Sequence, residues 1–165
     1  MPDTMQDFTA ILKALNQANA RVVLIGGVAM IAHGSDSATK DIDFAFARNR
    51  ENLIAIVRAL ASFAPRPKGF PPDLPFIWDE LTLGNSTTLT LTTSVCDVDF
   101  LAEPDGAPPF FKLYERGIDI TIFGEPVRVA SAEDLISMKR AAGRERDLYH
   151  LRELESLGKL NTETG

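Results

Sequence analysis

The sequence predicts an α/β protein, a mixed β-sheet with flanking helices, closed by a short C-terminal helical pair. Three observations carry this. Apolar residues recur at helical spacing near the N-terminus, as Phe8, Ile11, Leu12 and Leu15, and again as Leu53, Ile56, Val57 and Leu60. Short β-branched or strictly alternating runs lie between and after them. Glycine and proline clusters separate the two kinds of segment.

In chain order, a helix is expected from about Thr4 to Asn19, followed by a buried strand from Arg21 to Ile25. Gly26 and Gly27 end that strand, and "VAMIAH" suits a short helix closing at Gly34. Asp41 to Ala47 alternates strictly and reads as a strand, and "RENLIAIVRALASF" as a helix. Ala64 to Pro75 holds five prolines and a glycine and reads as a loop over a site. Beside it, Phe76, Ile77 and Trp78 suit core or a hydrophobic flap. Thr87–Thr93 and Cys96–Ala102 read as a hairpin, and "EPDGAPP" as a second loop. "FFKLYER" gives one or two helical turns, and "IDITIF" and "PVRVA" another strand pair around Gly124. Ser131 opens the last region as a capping box with Asp134 at the third helical position. Two helices follow, divided near Gly143, the second carrying Leu148, Leu151, Leu154 and Leu157. The expectation is one domain, residues 1–165, with an α/β core over 1–130 and C-terminal helices over 131–160.

Composition bounds the function. The 165 residues are 45% hydrophobic and 24% charged, enough for a substantial core. A net charge of −6 argues against broad non-specific binding to nucleic acid. Positive charge is local, in Lys139, Arg140, Arg144 and Arg146. Apolar runs such as "VVLIGGVAMIA" are too short and glycine-broken to span a bilayer. The N-terminus lacks a basic stretch followed by an apolar one, and Cys96 is the only cysteine. A cytoplasmic protein without membrane contact is expected.

Two short stretches carry the chemistry. Residues two apart on a strand share a face, with α-carbons about 6.5 to 7 Å apart. Asp41 and Asp43 therefore share one face while Ile42, Phe44 and Phe46 take the other. Asp97 and Asp99 repeat the design against Cys96, Val98 and Phe100. If the strands are neighbours, the carboxylates meet on one patch that repels itself unless protonated or neutralised. Mg²⁺ suits such oxygens together with substrate phosphates, and two such ions can clamp a phosphoryl or nucleotidyl transfer. Exposed aspartates on a half-solvated sheet are the alternative, which two such pairs on separate strands make less economical.

Gly26 and Gly27 stand between strand and helix about fifteen residues before the acidic strand. Glycine there lets backbone approach a ligand, and a new helix presents unpaired N–H groups suited to phosphate. The pattern is neither a dinucleotide fingerprint nor a Walker loop.

Glycine pair, short helix, acid-x-acid strand and a later acidic strand together resemble the polymerase-β-like nucleotidyltransferase superfamily. The likeness is to its small bacterial members, the minimal nucleotidyltransferases and the abortive-infection toxin type, and runs from about Val22 to Leu154. It covers the glycine motif Gly26-Gly27, the acids Asp41, Asp43 and Asp99, and the tail residues Lys139, Gly143, Arg144 and Asp147. The resemblance implies the nucleotidyltransferase fold and transfer of a nucleoside monophosphate from a nucleoside triphosphate, ATP or another, with release of pyrophosphate. Asp41, Asp43 and Asp99 would be the catalytic and Mg²⁺-holding carboxylates. Gly26, Gly27 and Thr39 would lie at the nucleotide, with Lys40, Lys139 and Arg144 as candidate phosphate contacts. The acceptor stays open among tRNA, a protein hydroxyl and a small molecule such as an antibiotic. A toxin role, with an antitoxin partner or a homo-oligomer, follows by analogy only.

The sequence departs from the pattern at Ser37, where many relatives have arginine, and at Gly27, where many have serine. The first departure keeps a rival reading alive, a catalytically weak or inactive relative that binds nucleotide or a protein partner. A sugar-nucleotide transferase with one acid-x-acid pair would leave Asp97 and Asp99 unexplained. Plainer roles are expected elsewhere. His33 suits packing or the helix dipole, Cys96 suits burial, and Lys139 and Arg144 could pair with Glu133, Glu145 and Asp147.

Overall fold

In the computed structural model, residues 4–35, 39–143 and 156 are described. Five of the strands follow the sequence pattern closely: β1 (Val22–Ile25), β2 (Asp41–Phe46), β5 (Asp97–Leu101), β6 (Ile118–Ile122) and β7 (Glu125–Val129). β4 (Thr88–Thr92) pairs antiparallel with β5, the expected hairpin. A two-residue strand, β3 (Arg66–Pro67), is hidden in the sequence by the prolines of its loop. Proline is tolerated there because β3 is the sheet edge. The seven strands run in the order β3-β4-β5-β2-β1-β7-β6, a mixed sheet. β2 lies antiparallel to β1 and parallel to β5 at the centre.

Helix α1 (Thr4–Gln17) buries Phe8, Ile11, Leu12 and Leu15, the stripe its spacing predicts. Helix α3 (Arg50–Leu60) stops earlier than the pattern suggests and tightens into a 3-10 turn over Ala61–Phe63. That turn closes at Ala64 in the left-handed region. Helix α2 (Gly26–Ala32) differs more. The two glycines do not precede it; they are its first turn. Helix α4 (Glu80–Gly84), capped by the Asp79 carboxylate accepting from the Thr82 N–H, has no counterpart in the periodicity because it is one turn long. α5 (Phe110–Arg116) and α6 (Ala132–Ala142) complete the described helices, while the expected second C-terminal helix lies outside the described residues.

The capping box of α6 is half made. Ser131 accepts from the Asp134 N–H, but the Asp134 carboxylate accepts from the Arg116 guanidinium at 3.1 Å instead of turning back. The central strands set the core: Ile42, Phe44, Val98 and Phe100 are fully buried, and Phe44 stacks on Phe100 with centroids 5.8 Å apart. At the lower end of β1 and β2, buried Asn52 accepts from the Arg21 N–H and donates to the Arg21 and Ala47 carbonyls. That knot fixes the two strands relative to each other and so fixes the register at their other end. Cys96 is half-buried against the core, and Trp78 is too, its Nε1–H donating to the Val57 carbonyl at 2.9 Å. Ile77 beside it is 71% exposed, so the segment divides between core and surface. Among the described residues no helix is long and apolar enough to cross a membrane.

Candidate active site

Register brings the acids together. In the parallel β2–β5 pair, Asp41 lies opposite Asp97 and Asp43 opposite Asp99. Neighbouring strands are about 4.8 Å apart, so four carboxylates rise from one patch of the sheet while the alternate residues fill the core. Asp43 also stands opposite Ile25, the last residue of β1, and therefore beside the glycine turn.

The electrostatics of the patch are uneven. Burial pushes the Asp43 carboxyl up to about 8, helped by a side-chain hydrogen bond to Asp99 and by the charges of Asp99 and Asp41. Lys139, in the last turn of α6, acts in the opposite direction. The buried Oδ1 of Asp99 has no hydrogen-bond partner. Asp97 is different: its carboxylate takes the Lys68 ammonium at 3.0 Å and the Thr92 hydroxyl at 3.2 Å. Among the described residues no three His, Cys, Asp or Glu side chains stand together as a ready-made ion cage. Asp43 and Asp99 interact directly, while Asp97 is engaged by Lys68.

The glycine turn is shaped by these acids. Gly26 has φ +72, and a Cβ there would collide with Asp43 Oδ2 and lie 2.8 Å from its Cγ. At Gly27 a Cβ would come within 2.9 Å of the Thr39 Cβ. Glycine rather than serine at that position is thus explained by Thr39, whose hydroxyl donates to the Asp41 carbonyl at 3.1 Å and buttresses the start of β2. Ile25, at the head of α2, makes no side-chain cap. His33 Nε2 meets the Ala130 carbonyl at 2.9 Å, tying the end of α2 to the end of β7, which is the packing role expected.

Comparison with known proteins adds the fold. No family model and no curated relative matches the sequence. Solved structures do. The protein ANT(2'')-Ia, solved in complex with adenylyl-2''-tobramycin, matches with a TM-score of 0.58 and 16% identity over 98% of each chain. The lincosamide antibiotic adenylyltransferase LnuA, lincomycin-bound, matches at 0.61 and 13% identity over 92% of this chain and 96% of that one. An antigenic nucleotidyltransferase-like protein from Paracoccidioides brasiliensis matches at 0.56 and 16% identity, over 93% and 75%.

The chain has the nucleotidyltransferase fold.

Within this nucleotidyltransferase fold, Gly26, Gly27, Thr39, Asp41, Asp43 and Asp99 gather at one end of β1, β2 and β5. Lys40 is exposed on the bend before β2, and Lys139 comes near enough to act on Asp43. Arg144, Ser37 and Asp147 lie outside the described residues. Sequence reasoning missed Lys68 and Thr92 as partners of the acid patch. Thr92 could have been found, since the antiparallel hairpin pairs it with Asp97. Lys68 could not, because Pro67 masks the strand that delivers it.

Proposed function

We propose that the chain is a Mg²⁺-dependent nucleotidyltransferase that moves a nucleoside monophosphate from a nucleoside triphosphate to a hydroxyl acceptor. One observation carries the reading: Asp43 and Asp99, in register on adjacent strands, share a site whose other wall is a glycine that Asp43 itself forbids from being larger. A carboxyl held up to about 8 and a buried carboxylate oxygen without a partner are what a cation-binding pair looks like without its counter-charge. The donor set is all hard oxygen, which fits Mg²⁺ and suits neither thiolate- nor imidazole-seeking metals. Asp43 and Asp99 would hold it, with Asp41 one turn of the pleat away.

When bound, Mg²⁺ would neutralise charge on the phosphates and lower the pKa of an acceptor hydroxyl. The chain's own residues do the rest. The backbone of Gly26 and Gly27 offers uncapped N–H groups and room for phosphate oxygens. Thr39 holds the strand end that presents Asp41, and the buried centre of the sheet keeps the carboxylates aligned. Lys139 places a positive charge near Asp43, suited to a phosphate or to offsetting the acids before metal arrives.

The acceptor reading that best fits the comparisons is a small molecule, since two of the similar structures hold an antibiotic or an adenylylated one. The tRNA, protein and toxin readings rest on the sequence resemblance alone. The test mixes protein, Mg²⁺, each labelled nucleoside triphosphate and a panel of acceptors, and follows pyrophosphate and labelled product. Metal-dependent release of both, lost in Asp43→Asn, is expected. Absence of pyrophosphate release together with absence of metal-dependent nucleotide binding would sink the enzyme reading and leave a protein-binding relative.

A further inference from the structure

The sheet edge beyond β5 carries a second charged device. Pro67 pairs with Leu91, and the Lys68 N–H continues the ladder by donating to the Thr90 carbonyl at 2.9 Å. Thr90 is itself opposite Asp99, so Lys68, Thr90, Asp99, Asp43 and Ile25 form one row across five strands. Directly opposed residues of a sheet share a face. The Lys68 ammonium accordingly reaches the acid patch and meets Asp97 at 3.0 Å, while its side chain stays 55% exposed. Asp97 lowers its own availability to a metal by this contact and by accepting from Thr92. The hydrogen bond to Asp97, with the charges of Asp97, Asp41 and Asp99, pushes the Lys68 ammonium above the usual lysine range.

Position decides what this cation serves. The glycine turn follows β1, four strand spacings or about 19 Å from β3 across the row. In an in-line displacement the attacking and leaving oxygens lie on opposite sides of the reacting phosphorus. With the triphosphate on the glycine side, the acceptor enters from the side of Lys68. Arg66, two residues earlier, donates to the Pro71 and Leu74 carbonyls and so draws the proline loop against the same flank. That flank is thus bounded by a loop, floored by Thr90 and Thr92, and marked by one ammonium with N–H donors to spare.

We propose that Lys68, positioned by Asp97, is the acceptor-side specificity residue and takes an anionic group of the acceptor, a phosphate or a carboxylate. The inference rests on the nucleotidyltransferase reading and narrows its acceptor: a polycation such as tobramycin meets a like charge at the entrance, and an anionic acceptor meets a partner. Asp97 is then a positioning residue and not a metal ligand.

Two measurements test it. Mn²⁺ alone is titrated into wild type, Asp97→Asn, Asp99→Asn and Asp43→Asn. Asp97→Asn should bind within about threefold of wild type, and Asp43→Asn and Asp99→Asn at least about tenfold more weakly. Equal losses at Asp97 and Asp99 would make Asp97 a ligand and overturn the inference. No loss at Asp43 or Asp99 would instead overturn the reading of the site itself. In the second, Mg²⁺–ATP transfer is compared for sugar phosphates, the matching neutral sugars and tobramycin. A phosphate-bearing acceptor should be preferred, and Lys68→Met should raise its KM at least about tenfold with the ATP KM within about twofold; Lys68→Arg should recover most of it. A raised ATP KM with an unchanged acceptor KM would assign Lys68 to the triphosphate, and preference for tobramycin would contradict the proposal outright.

Discussion

Strands β2 and β5 carry the same acid-x-acid pattern and lie in register, yet Asp43 and Asp97, diagonal to each other across that pair, live in opposite electrostatic surroundings. Asp43 is walled in by the glycine turn, Asp99 and Asp41, and its carboxyl is held up to about 8. Asp97, one strand over, is neutralised by Lys68 and Thr92 at the sheet edge. The same local pattern therefore gives two chemistries, because the third neighbour differs. Beside Asp43 it is a backbone turn that excludes any side chain; beside Asp97 it is β4 with Thr92 and, reaching over from the end of β3, the Lys68 ammonium.

The difference can be broken most severely through activity. Asp43→Asn should lower the transfer rate by about 10²-fold or more, as expected for losing a group that holds charge in the transition state, whereas Asp97→Asn should keep at least about a tenth of it. Steady-state pyrophosphate release measures both. Next comes the wall of the site: Gly26→Ala must accept a left-handed backbone and a collision with Asp43, and should cost roughly 2 kcal/mol or more in urea denaturation.

A smaller effect follows from linkage. The folded-state pKa of Asp43 lies above its unfolded value, so the metal-free fold binds the extra proton. The Asp43 contribution to stability is then fully present below about pH 4 and is lost as pH rises toward about 8. Denaturation midpoints at about pH 5.5 and 8.5 should show that slope in wild type and Asp97→Asn, and a flattened one in Asp43→Asn. The smallest effect belongs to Lys68→Met, whose exposed pair with Asp97 should leave the denaturation midpoint unchanged while altering acceptor use.

Much of this arrangement is legible in the sequence alone. The alternation in "DIDFAFA" and "CDVDFLA" assigns both acid faces without ambiguity, because a period of two leaves each side chain only one face to take. The apolar stripes of α1 and α3 are equally plain. What stays illegible depends on neighbours. That β2 and β5 run side by side is a matter of long-range pairing, which periodicity does not encode. That a side chain at Gly27 would crowd Thr39, twelve positions away, depends on their packing against each other. A two-residue edge strand containing proline carries no pattern at all, so Lys68 reads as part of a loop. That α2 takes in Gly26 and Gly27 is hidden as well, because glycine is a poor helix former and its reason for standing at position 26, the closeness of Asp43, lies in tertiary packing.

On the proposed reading, Asp43 and Asp99 form a cation site that holds a proton until the cation arrives. Calorimetric titration of Mg²⁺ into the protein at about pH 7, repeated in buffers of different ionisation enthalpy, reports both events together. Binding accompanied by release of up to about one proton, with both signals lost in Asp43→Asn, is the predicted result. Binding that persists unchanged in Asp43→Asn, or no Mg²⁺ binding by the wild type with or without nucleotide, would contradict it.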